Sequence, residues 1–123
     1  MANIEHIPWV RIKSIAAASM IAPTLAGVYA YGIVEREVAG LPVGTYSWAY
    51  VGRSDNLARR FSDHDVIRER DPALRQWLAD NRERAEVWYA SMQAGQTKAI
   101  EKHLIRELQP LCNRRRYTDG GEK

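Results

Sequence analysis

The sequence lacks the features that mark several classes of protein. It holds a single cysteine, Cys112, which excludes an intrachain disulfide and any zinc site built from several cysteines. No Gly-rich phosphate-binding loop of the usual kinds is present, and no internal repeat or low-complexity run appears. A reducing compartment fits this cysteine content.

Long hydrophobic runs are also missing, although one stretch needs to be tested as a membrane segment. Residues 14–34 contain no charged side chain, which is long enough to resemble a signal peptide or a signal anchor. Pro23, Gly27 and Gly32 interrupt the stretch, and it contains no continuous run of Leu, Ile and Val. We therefore expect a short Ala-rich helix followed by a buried strand, and no association with a membrane.

The composition is that of an ordinary globular protein with one modest core. Of its 123 residues, 46% are apolar and 27% are charged, and the formal net charge is +3. So small a positive charge says little by itself about nucleic-acid binding. We expect one domain over residues 25–117, preceded by an N-terminal arm over 1–24 that packs on the core, and followed by a frayed tail over 118–123.

Strand and helix patterns follow one another along the chain. Strands are predicted at 25–35, 46–52 and 85–91, and helices at 15–21, about 55–66, 71–80 and 95–108. Gly40, Pro42 and Gly44 predict a turn or flexible connection over residues 35–45. Ser54 or Asp55 is expected to cap the helix that follows the second strand.

Alternation within the predicted strands indicates which side chains share a face. Trp48 and Tyr50 are expected on the same face of the second strand. Val87 and Tyr89 are expected on one face of the third strand, with Trp88 on the other. The order of elements predicts an α+β fold, in which helices flank a small three-stranded, mainly antiparallel sheet. Residues 10–13 of the N-terminal arm alternate, which is compatible with a short strand, and the arm would cover a sheet edge or pack on a helix.

A set of polar side chains is expected to gather near one sheet edge. The first two strands each bring a tyrosine close to a glycine, in Gly27-Val28-Tyr29 and in Tyr50-Val51-Gly52. The helix after them places Arg60 and His64 one turn apart on the same face. Two phenols, a guanidinium and an imidazole together predict a site for an anionic substrate. The alternative is that the tyrosines are ordinary sheet aromatics and the helix face is merely solvated.

One carboxylate lies at the border of an apolar helix face. Ile100, Leu104, Ile105 and Leu108 form the apolar stripe of the last helix, and Glu101 stands beside it. A lone carboxylate there costs free energy unless it is paired or bound to a metal. Glu101 therefore either reaches solvent or an arginine, or points into a cleft to hold a hard cation such as Mg²⁺.

Taken in order, these residues resemble the motifs of the GIY-YIG nuclease family. The matching residues are Gly27-Val28-Tyr29, Tyr50-Val51-Gly52, Asn56-Leu57, Arg60, His64, Glu101 to Ile105, Leu108, Pro110 and Asn113. The resemblance spans roughly residues 25–113. Valine replaces isoleucine in both named triplets, the connection between them is longer than in compact members, and Arg53 stands where lysine or a small polar residue is common.

The resemblance implies a divalent-metal-dependent DNA endonuclease that hydrolyses phosphodiester bonds with one Mg²⁺ or Mn²⁺ ion. Glu101 would hold the metal, and Arg60 would grip the scissile phosphate. Either Tyr29 or Tyr50 would orient or deprotonate the attacking water, and His64 would accept the proton or hydrogen-bond the phenol. A free phenol has a pKa of about 10, so a tyrosine base needs positive charge nearby.

The same resemblance predicts the residues that bind the substrate. They are Gly52, Arg53, Arg59, Lys98, Lys102, Asn113 and Arg114. We expect no second DNA-binding domain, so target selection would come from this domain, from a partner protein or from an oligomer such as a homodimer. The expected location is cytoplasmic, on the nucleoid if the source is bacterial or a phage.

Two other functions remain open from the sequence. The first is a non-catalytic nucleic-acid-binding module with the same fold, which would bind DNA in a salt-sensitive manner without cutting it. The second is a metal phosphohydrolase, suggested by His64 and Asp65, which usually needs several more histidines. Only His6 and His103 remain for that role.

Overall fold

A four-stranded antiparallel sheet organises the computed structural model, which describes residues 7–38, 41–63 and 72–113. The elements are β1 (Val10–Ile12), α1 (Ile15–Ile21), β2 (Gly27–Val38), β3 (Leu41–Ser54), α2 (Leu57–Asp63), α3 (Pro72–Asp80), β4 (Glu86–Ser91) and α4 (Ala94–Leu108). The strand order is β1-β4-β2-β3. The α+β class is confirmed, whereas the prediction of three strands is wrong.

The additional strand lies within the segment that we expected to be an arm. β1 pairs with β4, placing Val10 opposite Tyr89 and Ile12 opposite Val87. Val10 and Ile12 share a face of the strand, but only Ile12 is buried, whereas Val10 is 41% exposed. The short strand that the alternation over residues 10–13 allows is therefore present, and it covers the sheet edge that β4 offers. Whether residues 1–24 form a unit apart from the domain stays a prediction.

The predicted turn over residues 35–45 is wrong, because both strands continue through most of it. β2 and β3 pair as far as Val38 and Leu41, and the two residues between these lie outside the described part of the chain. Pro42 and Gly44 therefore lie inside β3. Proline has no N–H for the sheet, but β3 is an edge strand, where a missing donor is tolerated.

The sheet is covered on both faces. Tyr29, Tyr31, Val87 and Tyr89 on one face pack with Ile12 and with side chains from α1, α2 and α3, which include Ala18, Leu57, Phe61, Leu74 and Leu78. Val28, Ala30, Val51, Trp88 and Ala90 on the other face pack with Leu104 and Ile105 of α4. The predicted alternation in β4 and the apolar stripe of α4 are confirmed. No described helix is both long and apolar enough to cross a membrane.

A bulge in β3 changes the face of one aromatic residue. Tyr50 packs against the first apolar cluster, whereas Trp48 belongs to the second, so the prediction that they share a face is wrong. Tyr31 pairs with Tyr50, but the next residue of β2, Gly32, pairs with Trp48. One extra residue of β3, Ala49, lies between those two pairs. Such an insertion shifts the alternation by one position and turns Trp48 to the opposite face.

Candidate functional site

Gly52 brings the two tyrosines of the site together. It pairs with Tyr29 across β2 and β3. A Cβ atom at Gly52 would lie 2.4 Å from the Tyr29 Oη, 2.5 Å from its Cζ and 2.9 Å from the Tyr50 Cε2. The Tyr29 ring thus lies directly against the backbone of Gly52, with the Tyr50 ring 6.2 Å away between centroids. No side chain fits at this position without displacing a phenol.

Arg60 meets Tyr29 at this glycine. Its Nε donates a 2.9 Å hydrogen bond to the Tyr29 Oη, which joins the guanidinium of α2 to the phenol of β2. Tyr29 is fully buried and its ring packs edge-on against Phe61, with the centroids 5.3 Å apart. The phenol oxygen is thereby fixed in position with a positive charge beside it. A developing negative charge on this oxygen would be stabilised there.

The start of α2 fixes where Arg60 stands. The Asn56 Oδ1 accepts a 3.1 Å hydrogen bond from the Arg59 N–H, so Asn56 is the cap, and the prediction of Ser54 or Asp55 is wrong. Ser54 instead braces the preceding turn, because its Oγ accepts from the Asn56 N–H at 3.0 Å and donates to the Asn56 carbonyl at 2.9 Å. The Leu57 N–H also donates to a carbonyl just before β2, which ties the helix to the strand of Tyr29.

Glu101 approaches the same end of the sheet from α4. Its Oε1 lies 3.6 Å from the Nε of Arg53, the residue that follows Gly52. The Glu101 side chain is 25% exposed and that of Arg53 is 45% exposed. Glu101 therefore lies at the border of the buried face, as predicted, and the alternative in which it pairs with an arginine is realised. Arg53 connects the carboxylate to the strand that carries Tyr50 and Gly52.

The chain after α4 returns along the edge of β3. α4 ends at Leu108, and the capping residue Gln109, whose φ of 46° is in the left-handed region, turns the backbone. The Leu111 N–H then donates to the Trp48 carbonyl at 3.1 Å, and the Cys112 N–H donates to the Ala49 carbonyl at 2.7 Å. These bonds pair the backbone of β3 at its bulge and cover an otherwise open sheet edge.

Asn113 completes this edge. Its Oδ1 accepts a 2.8 Å hydrogen bond from the Val51 N–H, and its Nδ2 donates a 2.9 Å bond to the Val51 carbonyl. The side-chain amide thus pairs with the strand as a neighbouring backbone would, between Tyr50 and Gly52. Because both ends of the amide bond the protein's own main chain, this arrangement favours a positioning role for Asn113 over the predicted contact with substrate.

The remaining predicted residues divide into two groups. Arg59 is exposed on α2, Lys98 is exposed on α4, and Lys102 is half-buried beside Glu101. These three cations lie on the two helices that carry Arg60 and Glu101. His64 and Arg114 lie outside the described residues, so their roles stay predictions.

The described side chains offer few ligands for the metal that the resemblance implies. Within 7–38, 41–63 and 72–113, no group of three or more His, Cys, Asp or Glu side chains comes together to hold a metal. That pattern does not fit a cation enclosed by protein ligands, such as structural zinc. It fits Mg²⁺, which keeps several waters and binds through one or two carboxylates together with substrate phosphates. Glu101, partly exposed at the end of its ion pair, is the carboxylate that would serve.

Solved structures similar to this chain include those of the GIY-YIG N-terminal endonuclease domain of UvrC from Thermotoga maritima. The magnesium-bound GIY-YIG N-terminal endonuclease domain of UvrC superposes with a TM-score of 0.56 at 18% identity, covering 80% of this chain and 94% of that one. A tyrosine-to-phenylalanine mutant with its catalytic divalent cation gives 0.55 and 17%, and an asparagine-to-alanine mutant gives 0.56 and 17%. No protein-family model and no curated protein sequence matches the chain. At this identity the likeness establishes a shared fold.

Proposed function

The chain has the fold of the GIY-YIG endonuclease domain, and from that premise we propose that it is a divalent-metal-dependent endonuclease acting on DNA. The observation that carries the proposal is the Arg60–Tyr29 hydrogen bond across Gly52, at the sheet end where Glu101 meets Arg53. Phosphodiester hydrolysis needs an anion grip, a group that activates water, and neutralisation of a crowded anionic transition state. These side chains supply groups suited to each task.

Arg60 would grip the scissile phosphate. A guanidinium has five N–H donors in a rigid fork that matches phosphate oxygens, and the Nε–H of Arg60 is directed at Tyr29. The same group would therefore hold the phosphate and the phenol oxygen at a fixed distance from each other. Glu101 would hold the cation, Mg²⁺ or Mn²⁺, which when bound neutralises phosphate charge and favours ionised water.

Tyr29 is the better supported of the two candidates for the group that activates water. It is fully buried and bonded to a guanidinium, which stabilises a phenolate oxygen, whereas Tyr50 is only partly buried against the same cluster. Tyr50 would then line the cleft and orient the water. His64, one turn beyond Arg60 in the sequence, would take the proton.

DNA would be held through its backbone. Arg53, Arg59, Lys98 and Lys102 lie on the elements that form the site, and Arg114 follows Asn113 in the sequence. Phosphate contacts of this kind release counterions, so binding should weaken steeply as salt rises. With one small site, each event would cut one strand, and a double-strand break would require a second copy or a second nick.

The test is a cleavage assay with supercoiled, linear, branched and single-stranded DNA, with and without Mg²⁺. We expect Mg²⁺-dependent nicking by the wild type and a loss of at least about 100-fold in Glu101→Gln. Glu107→Gln is the matched control, because it removes the same charge from an exposed position on the same helix. Tyr29→Phe should lose activity to a similar extent, whereas Tyr31→Phe, two residues along the same strand, should retain it.

Two outcomes would contradict the proposal. Nicking by Glu101→Gln at the wild-type rate would remove the metal role of that carboxylate. Salt-sensitive binding to every DNA form, with no cleavage in Mg²⁺ or Mn²⁺, would instead identify the non-catalytic binding module. A folded state confirmed by circular dichroism is required of each variant.

A further inference from the structure

The ion pair between Arg53 and Glu101 is loose. The 3.6 Å between the Arg53 Nε and the Glu101 Oε1 exceeds the usual length of a hydrogen bond, and the arginine side chain is 45% exposed. An exposed pair of this kind adds little to stability, because water competes for both charges and two long side chains must be held in one geometry. The guanidinium therefore leaves the carboxylate at small cost.

We propose that Arg53 is a resident counter-ion of Glu101 and moves to a substrate phosphate when a divalent cation takes its place on the carboxylate. This inference rests on the proposed function, since it assumes that Glu101 is the metal ligand. A cation and a guanidinium compete for the same carboxylate, so binding of one displaces the other. Arg53 is then a positioning residue for Glu101 in the cation-free protein and a phosphate ligand in the loaded one.

The exchange makes the site attractive to DNA at the moment the cation arrives. A paired carboxylate and guanidinium are neutral together, whereas the same two groups with a divalent cation carry a net charge of two. The freed guanidinium belongs to Arg53, the residue that follows Gly52. The Tyr29 ring packs against the Gly52 backbone, and Asn113 is hydrogen-bonded to the main chain of the preceding residue, Val51. Only the side chain needs to move. Cation and DNA binding should therefore strengthen each other, and reciprocally.

The test measures Mn²⁺ binding to the full chain without DNA, from the electron paramagnetic resonance signal of the free ion. Removing the competitor in Arg53→Gln should tighten Mn²⁺ binding about two- to fivefold, the range expected for loss of an exposed ion pair. Arg53→Lys, which keeps the charge, should remain closer to the wild type. Arg82→Gln is the charge-matched control and should change nothing. Arg82 is exposed in the turn before β4. The first residue of β4, Glu86, pairs with Gly32, which lies about 16 Å along β2 from Gly27, so the turn is near the end of the sheet away from Gly27.

The second arm adds a short DNA duplex in a Tyr29→Phe background, which suppresses cleavage. DNA should tighten Mn²⁺ binding severalfold when Arg53 is present, and by less in Arg53→Gln. Unchanged or weaker Mn²⁺ binding by Arg53→Gln without DNA would overturn the counter-ion role, and an unaltered effect of DNA would overturn the transfer to phosphate. If Glu101→Gln binds Mn²⁺ like the wild type, the metal role beneath the proposal fails as well. That result is distinct from the first two.

Discussion

Two arginine–glutamate pairs lie at opposite edges of the sheet, and they differ in construction. Arg11 and Glu86 join β1 to β4 through two bonds of 2.5 and 2.8 Å, with side chains only 19% and 10% exposed, and the guanidinium lies 5.6 Å from the centre of the Trp88 ring. Arg53 and Glu101 make one contact of 3.6 Å and are far more exposed. The same two residue types thus form a fixed, largely buried ion pair at one edge of the sheet and an exchangeable, exposed ion pair at the other.

The largest difference between the pairs should appear in stability. Glu86→Gln leaves the Arg11 charge half-buried without its carboxylate, and we expect a loss of about 3 kcal/mol in the free energy of unfolding. Glu101→Gln should change it by less than about 1 kcal/mol, because both partners reach water. Urea unfolding monitored by tryptophan fluorescence measures both values. Equal losses in the two variants would show that the pairs do not differ as their geometry indicates.

If the Arg53–Glu101 ion pair does not stabilise the β3 edge at the site, the hydrogen bonds of the uncharged Asn113 side chain should. Asn113→Ala removes two hydrogen bonds from the Val51 main chain in a partly buried position, and we expect a loss of about 1–3 kcal/mol. Cleavage should fall further than the folded fraction does, since Tyr50 and Gly52 flank Val51. Asn113→Asp keeps the acceptor for the Val51 N–H but loses the donor, so it should lie between alanine and wild type. Full stability in Asn113→Ala would assign the edge to other contacts.

Sequence was sufficient for the parts of the site that depend on local spacing. Glu101 lies at the border of the apolar stripe of α4 because helix periodicity determines its angle to Leu104 and Ile105. The two tyrosine–glycine triplets meet because they lie on strands that follow one another in the chain and pair in antiparallel fashion. The Tyr29–Gly52 pairing and the contact with Arg60 agree with that expectation.

The errors arose where a distant contact decides a local structure. The alternation over residues 10–13 allows a short strand, but its place as the fourth strand of the sheet depends on pairing with β4, where Arg11 is bonded to a glutamate 75 positions away. The bulge at Ala49 depends on pairing with β2 and reverses the predicted face of Trp48. Pro42 and Gly44 usually indicate a turn, but an edge strand accommodates both. Asn56 rather than Ser54 caps α2, a choice between neighbouring residues that backbone geometry makes.

The smallest expected effect separates the two pairs by salt. At 1 M ionic strength the Debye length is about 3 Å, shorter than the 3.6 Å between Arg53 and Glu101, whereas at 0.1 M it is about 10 Å. The small difference in stability between the wild type and Glu101→Gln at 0.1 M NaCl should therefore fall to nearly zero at 1 M.

The loss of stability in Glu86→Gln should remain at 1 M NaCl, because burial keeps ions away from Arg11 and because its two hydrogen bonds are short. Unfolding by urea, which is uncharged and adds no ionic strength, gives the four differences at the two salt concentrations. If the loss of unfolding free energy in Glu86→Gln falls with salt as much as that in Glu101→Gln, solvent screens both ion pairs alike. The exchangeable character of Arg53 would then have no electrostatic basis.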